Sequence, residues 1–145
     1  MSRLATSFVL GYHGCDKAVA EQVVNGQASL NASNRDFDWL GPGVYFWESD
    51  PQRAMEWAVW RKDRGDYETP CVIGAVIDLR NCLDLTNRSD LELLGDAYAS
   101  YTAEQELAGL RLPENKAVAG DPNEARLLRY LDCAVIRHLH YIVEQ

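Results

Sequence analysis

Two glycines flank a proline in the middle of this chain, and an aromatic run follows them directly, in the order Gly41-Pro42-Gly43-Val44-Tyr45-Phe46. Proline fixes its own φ angle and glycine tolerates backbone angles closed to other residues, so the segment predicts a rigid turn. The residues after it predict a strand over 44–47. The segment suits either a turn into a core strand or the wall of a pocket. In a pocket, glycine would admit a ligand to the backbone and Tyr45 would offer a flat face for stacking.

Strand and helix patterns alternate on both sides of this turn. The capping residue Asp16 and the apolar stripe after it predict a first helix, which Gly26 ends. The sequence Ser49-Asp50-Pro51-Gln52 is a strong start for a second helix. The apolar run from Cys71 to Leu79 predicts a strand that is buried on both faces. A short apolar strand over residues 7–13 precedes all of these elements.

The later part of the chain is predicted to be helical. Capping-box patterns occur at Ser89–Glu92 and again at Thr102–Gln105. The segment is therefore expected to form either one long helix or two helices with a break near Thr102. Asp121-Pro122-Asn123-Glu124 predicts the start of the last helix, whose apolar stripe continues to Ile142. These patterns together predict one α+β domain over residues 1–145, with strands mostly early and helices late.

Composition narrows the classes of function. The 145 residues carry a net charge of −8, and a diffuse excess of acid argues against binding nucleic acid or an anionic membrane surface. No apolar run reaches the length of a transmembrane helix, and the first residues lack a signal-peptide pattern, so a cytoplasmic location is expected. The four cysteines form no Cys-x-x-Cys pair, which predicts buried thiols and no metal.

His13 ends the first predicted strand and is followed by Gly14. A histidine in this position commonly has a structural role, and its two ring nitrogens can also hold a ribose hydroxyl. The combination is more specific than either part. A strand-terminal His-Gly is followed by a helix, a polar loop over residues 27–40, and then the Gly-x-Gly-x-Tyr-Phe segment.

This combination resembles the diphtheria-toxin and poly(ADP-ribose) polymerase group of ADP-ribosyltransferases, which carry a His-Tyr-Glu signature. The resemblance covers residues 8 to 80 and rests on the following residues: Tyr12-His13-Gly14, Leu40 to Phe46, Ala54 and Trp57-Ala58. It implies a split antiparallel sheet with flanking helices and a helix-rich C-terminal part. It also implies that NAD is bound as a substrate and that no metal takes part.

The resemblance assigns a role to each matching residue. His13 would bond a hydroxyl of the adenosine-side ribose, and the Gly14 backbone would pair with the nicotinamide carboxamide. Tyr45 would stack on the nicotinamide ring, with Gly43 in the adjoining turn. His13 and Tyr45 are therefore the expected catalytic residues, and His13, Gly14, Gly43 and Tyr45 the expected NAD-binding residues. The loop over residues 27–40 would shape the entrance.

Two features depart from the family pattern. Arg53 stands where the polymerases place a serine of the nicotinamide pocket. No residue matches the catalytic glutamate, which in the family polarises the nicotinamide-ribose hydroxyls. Glu124 is explained by a helix cap, and Glu144 is next to the last residue. The chain is therefore expected either to end before the strand that carries the glutamate or to be a natural form without it.

Three hypotheses follow from these features. The first is an NAD-dependent ADP-ribosyltransferase or NAD glycohydrolase, toxin-like or not, with an unknown acceptor. The second is an inactive module of the same fold that binds NAD, ADP-ribose or a protein partner, for which the apolar stripe of the last helix is a candidate surface. The third is RNA 2′-phosphotransfer, against which the acidic charge counts. His138 and His140 are predicted to point to different faces of a helix, so they are not a metal pair.

Overall fold

The computed structural model describes residues 7–122 and 125–144, and these divide into two compact units. The first unit contains residues 1–31 and 44–82, and the second contains residues 32–43 and 83–145. The α+β class is confirmed, because the described residues form one small antiparallel sheet and four helices. Among the described helices, none is long and apolar enough to cross a membrane.

The sheet belongs to the first unit and has the order β2-β1-β3. Its strands are β1 (Phe8–Asp16), β2 (Trp47–Glu48) and β3 (Pro70–Asp78). Both neighbours run antiparallel to β1, with Tyr12 opposite Trp47 and His13 opposite Ile73. The expected strand over residues 44–47 is thus shorter and later than predicted. The aromatic residues Tyr45 and Phe46 precede the paired segment instead of forming it.

Backbone hydrogen bonds decide which neighbour each residue of β1 faces. The amide of Leu79 donates to the Ser7 carbonyl, which makes odd-numbered positions the hydrogen-bonded pairs with β3. The amide of Ser49 donates to the Leu10 carbonyl, so even-numbered residues of β1 direct their N–H and C=O groups toward β2. Pro70 fits this alternation, since it occupies an even-numbered position of β3 where no amide is needed toward β1.

Two helices accompany the sheet, α1 (Lys17–Val24) and α2 (Pro51–Asp63). The helix start predicted at residues 49–52 is confirmed, because the Asp50 carboxylate accepts the Arg53 amide at 3.0 Å and Pro51 occupies the first turn. The helix α2 packs on the face of β1 that carries Gly14. A Cβ atom at Gly14 would overlap the Ala54 carbonyl oxygen, so this close approach requires glycine.

Asp16 stands at the N-cap of α1 as predicted, but its side chain makes no capping hydrogen bond. Its carboxylate instead accepts the amides of Thr69 at 3.1 Å and Glu68 at 3.3 Å. These bonds favour the charged carboxylate and lower the pKa of Asp16 below its usual value. The residue therefore ties the end of β1 to the start of β3.

The prediction that the strand after Cys71 is buried on both faces is wrong. Val76 is 68% exposed, and Leu10, directly opposite it on β1, is 51% exposed. Both lie on the sheet face that carries Gly14, and α2 covers that face only near Gly14. The apolar run predicted the strand correctly, but an apolar run alone does not show how much of a sheet face is covered.

The second unit is built on α3 (Arg88–Leu107) and α4 (Tyr130–Val143). Its core consists of Ala97 from α3 with Val135 and Leu139 from α4, each at most 5% exposed. Partly buried apolar residues surround this core, namely Leu83, Leu94, Tyr101 and Leu131. The predicted stripe of the last helix is thus the side that packs on α3, although Ile142 at its end is 44% exposed.

Two predicted helix boundaries differ from the structure. The helix α3 continues through Thr102, whose hydroxyl donates to the Tyr98 carbonyl one turn earlier at 2.9 Å. A threonine that bonds within the preceding turn no longer acts as a cap, so the second capping pattern does not interrupt the helix. The last helix begins at Tyr130 instead of near Asp121. Of the predicted cap, Asn123 and Glu124 lie outside the described residues.

The residues before the Gly-Pro-Gly turn pack within the second unit. The Arg137 guanidinium bonds Asp36 at 2.9 Å and Asn34 at 3.0 Å, and the Trp39 indole donates to the Leu127 carbonyl at 3.1 Å. Gly41 has a φ of 77°, which favours glycine, and it lies against Ile136 of α4. The loop predicted over residues 27–40 is therefore ordered against α4 from residue 32 onward.

The contact between Gly14 and α2 predicts a contrast between two glycine substitutions. Gly14→Ala should lower the free energy of unfolding by about 1–3 kcal/mol, because the added methyl group meets backbone that cannot move alone. Gly95→Ala, in α3 where a Cβ atom meets nothing within 4 Å, should raise it by up to ~1 kcal/mol. Urea unfolding followed by circular dichroism measures both. A Gly14→Ala protein as stable as the unsubstituted chain would contradict the packing described above.

Candidate functional site

The first unit joins His13 and Tyr45 directly. The Nδ1 atom of His13, near the end of β1, lies 2.7 Å from the backbone carbonyl oxygen of Tyr45. The His13 side chain is half-buried at this point. Two of the residues chosen from sequence are therefore in contact, although the contact is made by the backbone of Tyr45. The stacking role of the Tyr45 ring stays a prediction.

This hydrogen bond fixes the tautomer of His13. A carbonyl oxygen only accepts, so Nδ1 must carry the proton. In the neutral imidazole the second nitrogen, Nε2, is then an acceptor without a proton. A hydroxyl group could donate to it. His13 thus makes a structural hydrogen bond with Nδ1, and its Nε2 can accept a hydrogen bond from a ligand.

Phe46 is the residue that sequence analysis left without a role. Its ring lies 5.6 Å from the His13 ring, centroid to centroid, and its Cβ atom lies close to Gly11 on the same sheet face. Phe46 therefore holds the imidazole plane in place from one side. Its place directly after Tyr45 in the motif was the available signal, because neighbouring residues of an extended segment tend to point to opposite sides.

Gly14 is buried, and it lies at the end of the part of β1 that pairs with β2. It is an even-numbered residue of β1, so its N–H and C=O groups point to the β2 side. The strand β2 begins at Trp47, opposite Tyr12, and Gly14 therefore lies two positions beyond the paired segment. The result is an adjacent donor and acceptor next to His13 and the Tyr45 carbonyl.

Gly43 belongs to the second unit and has a different environment. It exchanges two backbone hydrogen bonds with Ser33, at 2.7 and 2.9 Å, which close the polar loop onto the turn. This bridge holds Ser33, in the polar loop, next to Gly43 in the Gly-Pro-Gly turn. The predicted contact of Gly43 with a cofactor stays a prediction.

The departures from the family pattern also have structural counterparts. Arg53 lies exposed in the first turn of α2, where its guanidinium pairs with Glu56 at 3.0 Å. Glu144 is exposed and occupies the C-cap position of α4, in the second unit. Its position is that of a helix end, and it gives no reason to assign a catalytic role. Glu124 lies outside the described residues.

The second unit holds a separate polar cluster on α3 and α4. His138 is 8% exposed, and its Nε2 lies 3.0 Å from the Ser100 hydroxyl, while Nδ1 lies 3.6 Å from a Glu104 oxygen. Ser100 and Glu104 sit within a continuous helix whose amides are used by the helix itself, so no backbone donors are available there for an oxyanion. The cluster is therefore a link between two helices. His140 is exposed, which confirms that the two histidines face different sides.

The four cysteines are all free thiols. Cys15 and Cys133 are buried, Cys71 is half-buried and Cys82 is exposed, so the expectation of buried thiols is correct for only part of the set. Within residues 7–122 and 125–144, no group of three or more His, Cys, Asp or Glu side chains is arranged to hold a metal ion.

The hydrogen bond of His13 predicts its tautomer in solution. At alkaline pH, where imidazoles are neutral, the long-range proton–nitrogen NMR spectrum should show a protonated Nδ1 and an unprotonated Nε2 for His13. The exposed His140 is the reference, and loss of signals in His13→Asn assigns them. A protonated Nε2 with a bare Nδ1 would show that the bond to the Tyr45 carbonyl does not form.

Comparison with known proteins gives one short match. No protein-family model and no solved structure matches the chain significantly. Over 53 residues the chain is 38% identical to an uncharacterized protein of the archaeon Methanocaldococcus jannaschii. The match covers 37% of this chain and 23% of that relative, so the chain spans far less than two thirds of the relative's length.

Proposed function

We propose that the first unit binds NAD through His13, the backbone of Gly14 and the ring of Tyr45, as a protein of the ADP-ribosyltransferase type. The observation that carries the proposal is the unpaired end of the sheet at Gly14. An adjacent N–H donor and C=O acceptor lie there beside an oriented imidazole.

A primary carboxamide is the group that such an edge suits. It offers one N–H donor and one C=O acceptor about as far apart as the corresponding groups of a strand, so it can extend the hydrogen-bond pattern of the sheet. Nicotinamide is a planar ring that carries this carboxamide. An aromatic side chain such as Tyr45 next to the edge would cover the ring face.

The imidazole of His13 supplies the second contact. With its Nδ1 proton committed to the Tyr45 carbonyl, its Nε2 accepts a hydrogen bond from a ribose hydroxyl. The same bond and the Phe46 ring keep the imidazole from turning. A preoriented acceptor of this kind reduces the entropy lost when the ligand binds.

The small antiparallel sheet would be one part of the split sheet of an ADP-ribosyltransferase. Polar contacts to the carboxamide and the ribose orient the glycosidic bond between nicotinamide and ribose. Cleavage of that bond builds positive charge on the ribose, which a carboxylate near the ribose hydroxyls would stabilise. Glu144, exposed at a helix end, is not suited to that task. We therefore propose that these 145 residues bind NAD and turn it over slowly or not at all.

Calorimetry with NAD and with nicotinamide tests the binding site. Tyr45→Ala should weaken both ligands by about 1–3 kcal/mol, because the stacked ring is lost, whereas Tyr45→Phe should bind nearly as the unsubstituted chain does. Tyr98→Ala, at an exposed position on α3, is the matched control and should have no effect. A folded protein that binds neither ligand would refute the proposal.

The same titrations separate the two roles of His13. In His13→Asn the side-chain amide can still donate to the Tyr45 carbonyl, but the acceptor at Nε2 is lost. This variant should bind nicotinamide normally and bind NAD more weakly, since only NAD carries the ribose. Equal loss for both ligands would place His13 in a purely structural role.

Release of nicotinamide from NAD tests the turnover. Without a positioned carboxylate the rate should be ~100–1,000-fold below that of a complete enzyme of this type, and Glu144→Gln should leave it unchanged. The assay uses the sample in which NAD binding was measured. Rapid release that is abolished by Glu144→Gln, or by Glu124→Gln, would identify the carboxylate that we place elsewhere.

A further inference from the structure

Two cysteines stand directly opposite each other in the sheet of the first unit. Cys15 of β1 pairs with Cys71 of β3, and both are odd-numbered, so they form a hydrogen-bonded pair with side chains on the same sheet face. The Cα atoms of such a pair lie about 5.5 Å apart, inside the range that disulfides span. The two residues are far apart in sequence, and only the fold brings them together.

The surroundings of the two thiols differ. Cys15 is 3% exposed and is therefore almost out of reach of solvent. Burial raises the pKa of the Cys15 thiol, and the neighbouring Cys71 raises it further. Cys71 is half-buried and is therefore the thiol that a reagent can reach first.

We propose that Cys15 and Cys71 are a site of reversible oxidation, where a small disulfide such as oxidised glutathione closes a bond between β1 and β3. Cys71, as its thiolate, attacks one sulfur of glutathione disulfide and releases the first glutathione. Cys15 then loses its proton, attacks the Cys71 sulfur and releases the second. The protein loses two electrons and two protons, and one glutathione disulfide becomes two glutathione thiols.

The geometry makes this bond easy to reduce again. The Cβ atoms of a hydrogen-bonded pair lie about 5.5 Å apart, whereas a disulfide needs them at about 3.8 Å. Closure must therefore draw the two strands together locally, and the resulting strain favours reduction. The pair would remain reduced in a strongly reducing compartment and close when that compartment becomes oxidising. This inference does not depend on NAD binding.

The test uses the full chain with Cys82→Ser, which removes the exposed thiol and leaves three cysteines. The protein is incubated with oxidised glutathione, quenched with acid, denatured and alkylated. Before alkylation, we expect the intact mass to be lower by two hydrogens, without a glutathione adduct. After alkylation, one thiol should carry the alkyl group and peptide mapping should link Cys15 to Cys71. Dithiothreitol should restore all three thiols.

Cys71→Ser in the same background is the matched variant, and both of its remaining thiols should stay reduced. If this variant folds poorly, the link mapped in the Cys82→Ser protein still shows whether Cys15 and Cys71 form the disulfide. Three titratable thiols after oxidation, a glutathione that stays on Cys71, or a link that involves Cys133 would each overturn the proposal.

Discussion

The alternating hydrogen bonds of β1 are the constraint on which most of the first unit depends. Odd-numbered residues bond β3 along the whole strand, while even-numbered residues face β2, which contributes only two paired residues. The strand β1 is therefore paired along its whole length with β3 and over only two residues with β2. The complete side brings the two cysteines together, and the incomplete side leaves the backbone of Gly14 at the sheet's unpaired end.

Two structural features coincide at Gly14, a close contact with α2 and a backbone that lies beyond the paired part of β2. On its side-chain face, α2 approaches so closely that the Ala54 carbonyl occupies the space of a Cβ atom. At its backbone, the strand extends beyond the paired part of β2. The packing alone accounts for glycine here, so its presence in the motif does not prove that a ligand binds. The direction of its backbone groups follows from the alternation of hydrogen bonds along β1.

Sequence analysis identified the elements better than their extents and surroundings. The α+β class and the cap at Asp50 could be predicted, because each rests on local residue patterns, whereas the expectation that His13 lies near Tyr45 came from the family resemblance. The exposure of the sheet near Val76 and the continuity of α3 through Thr102 could not be predicted. The exposure near Val76 depends on how much of the sheet face another element covers. The continuity of α3 depends on whether the Thr102 hydroxyl bonds the preceding turn or caps a new helix. Phe46 was missed because a motif names residues without giving the direction of their side chains.

The proposed separation of NAD binding from NAD cleavage rests on where these groups lie in the chain. His13 and Gly14 lie on one strand, Tyr45 lies on the segment beside it, and one hydrogen bond links His13 to the Tyr45 carbonyl. A carboxylate able to stabilise a positively charged ribose would have to come from another element. Binding needs only a neutral donor, an acceptor and a ring, which a small sheet can supply. Catalysis needs in addition a fixed charge at one place, which costs more to hold in position.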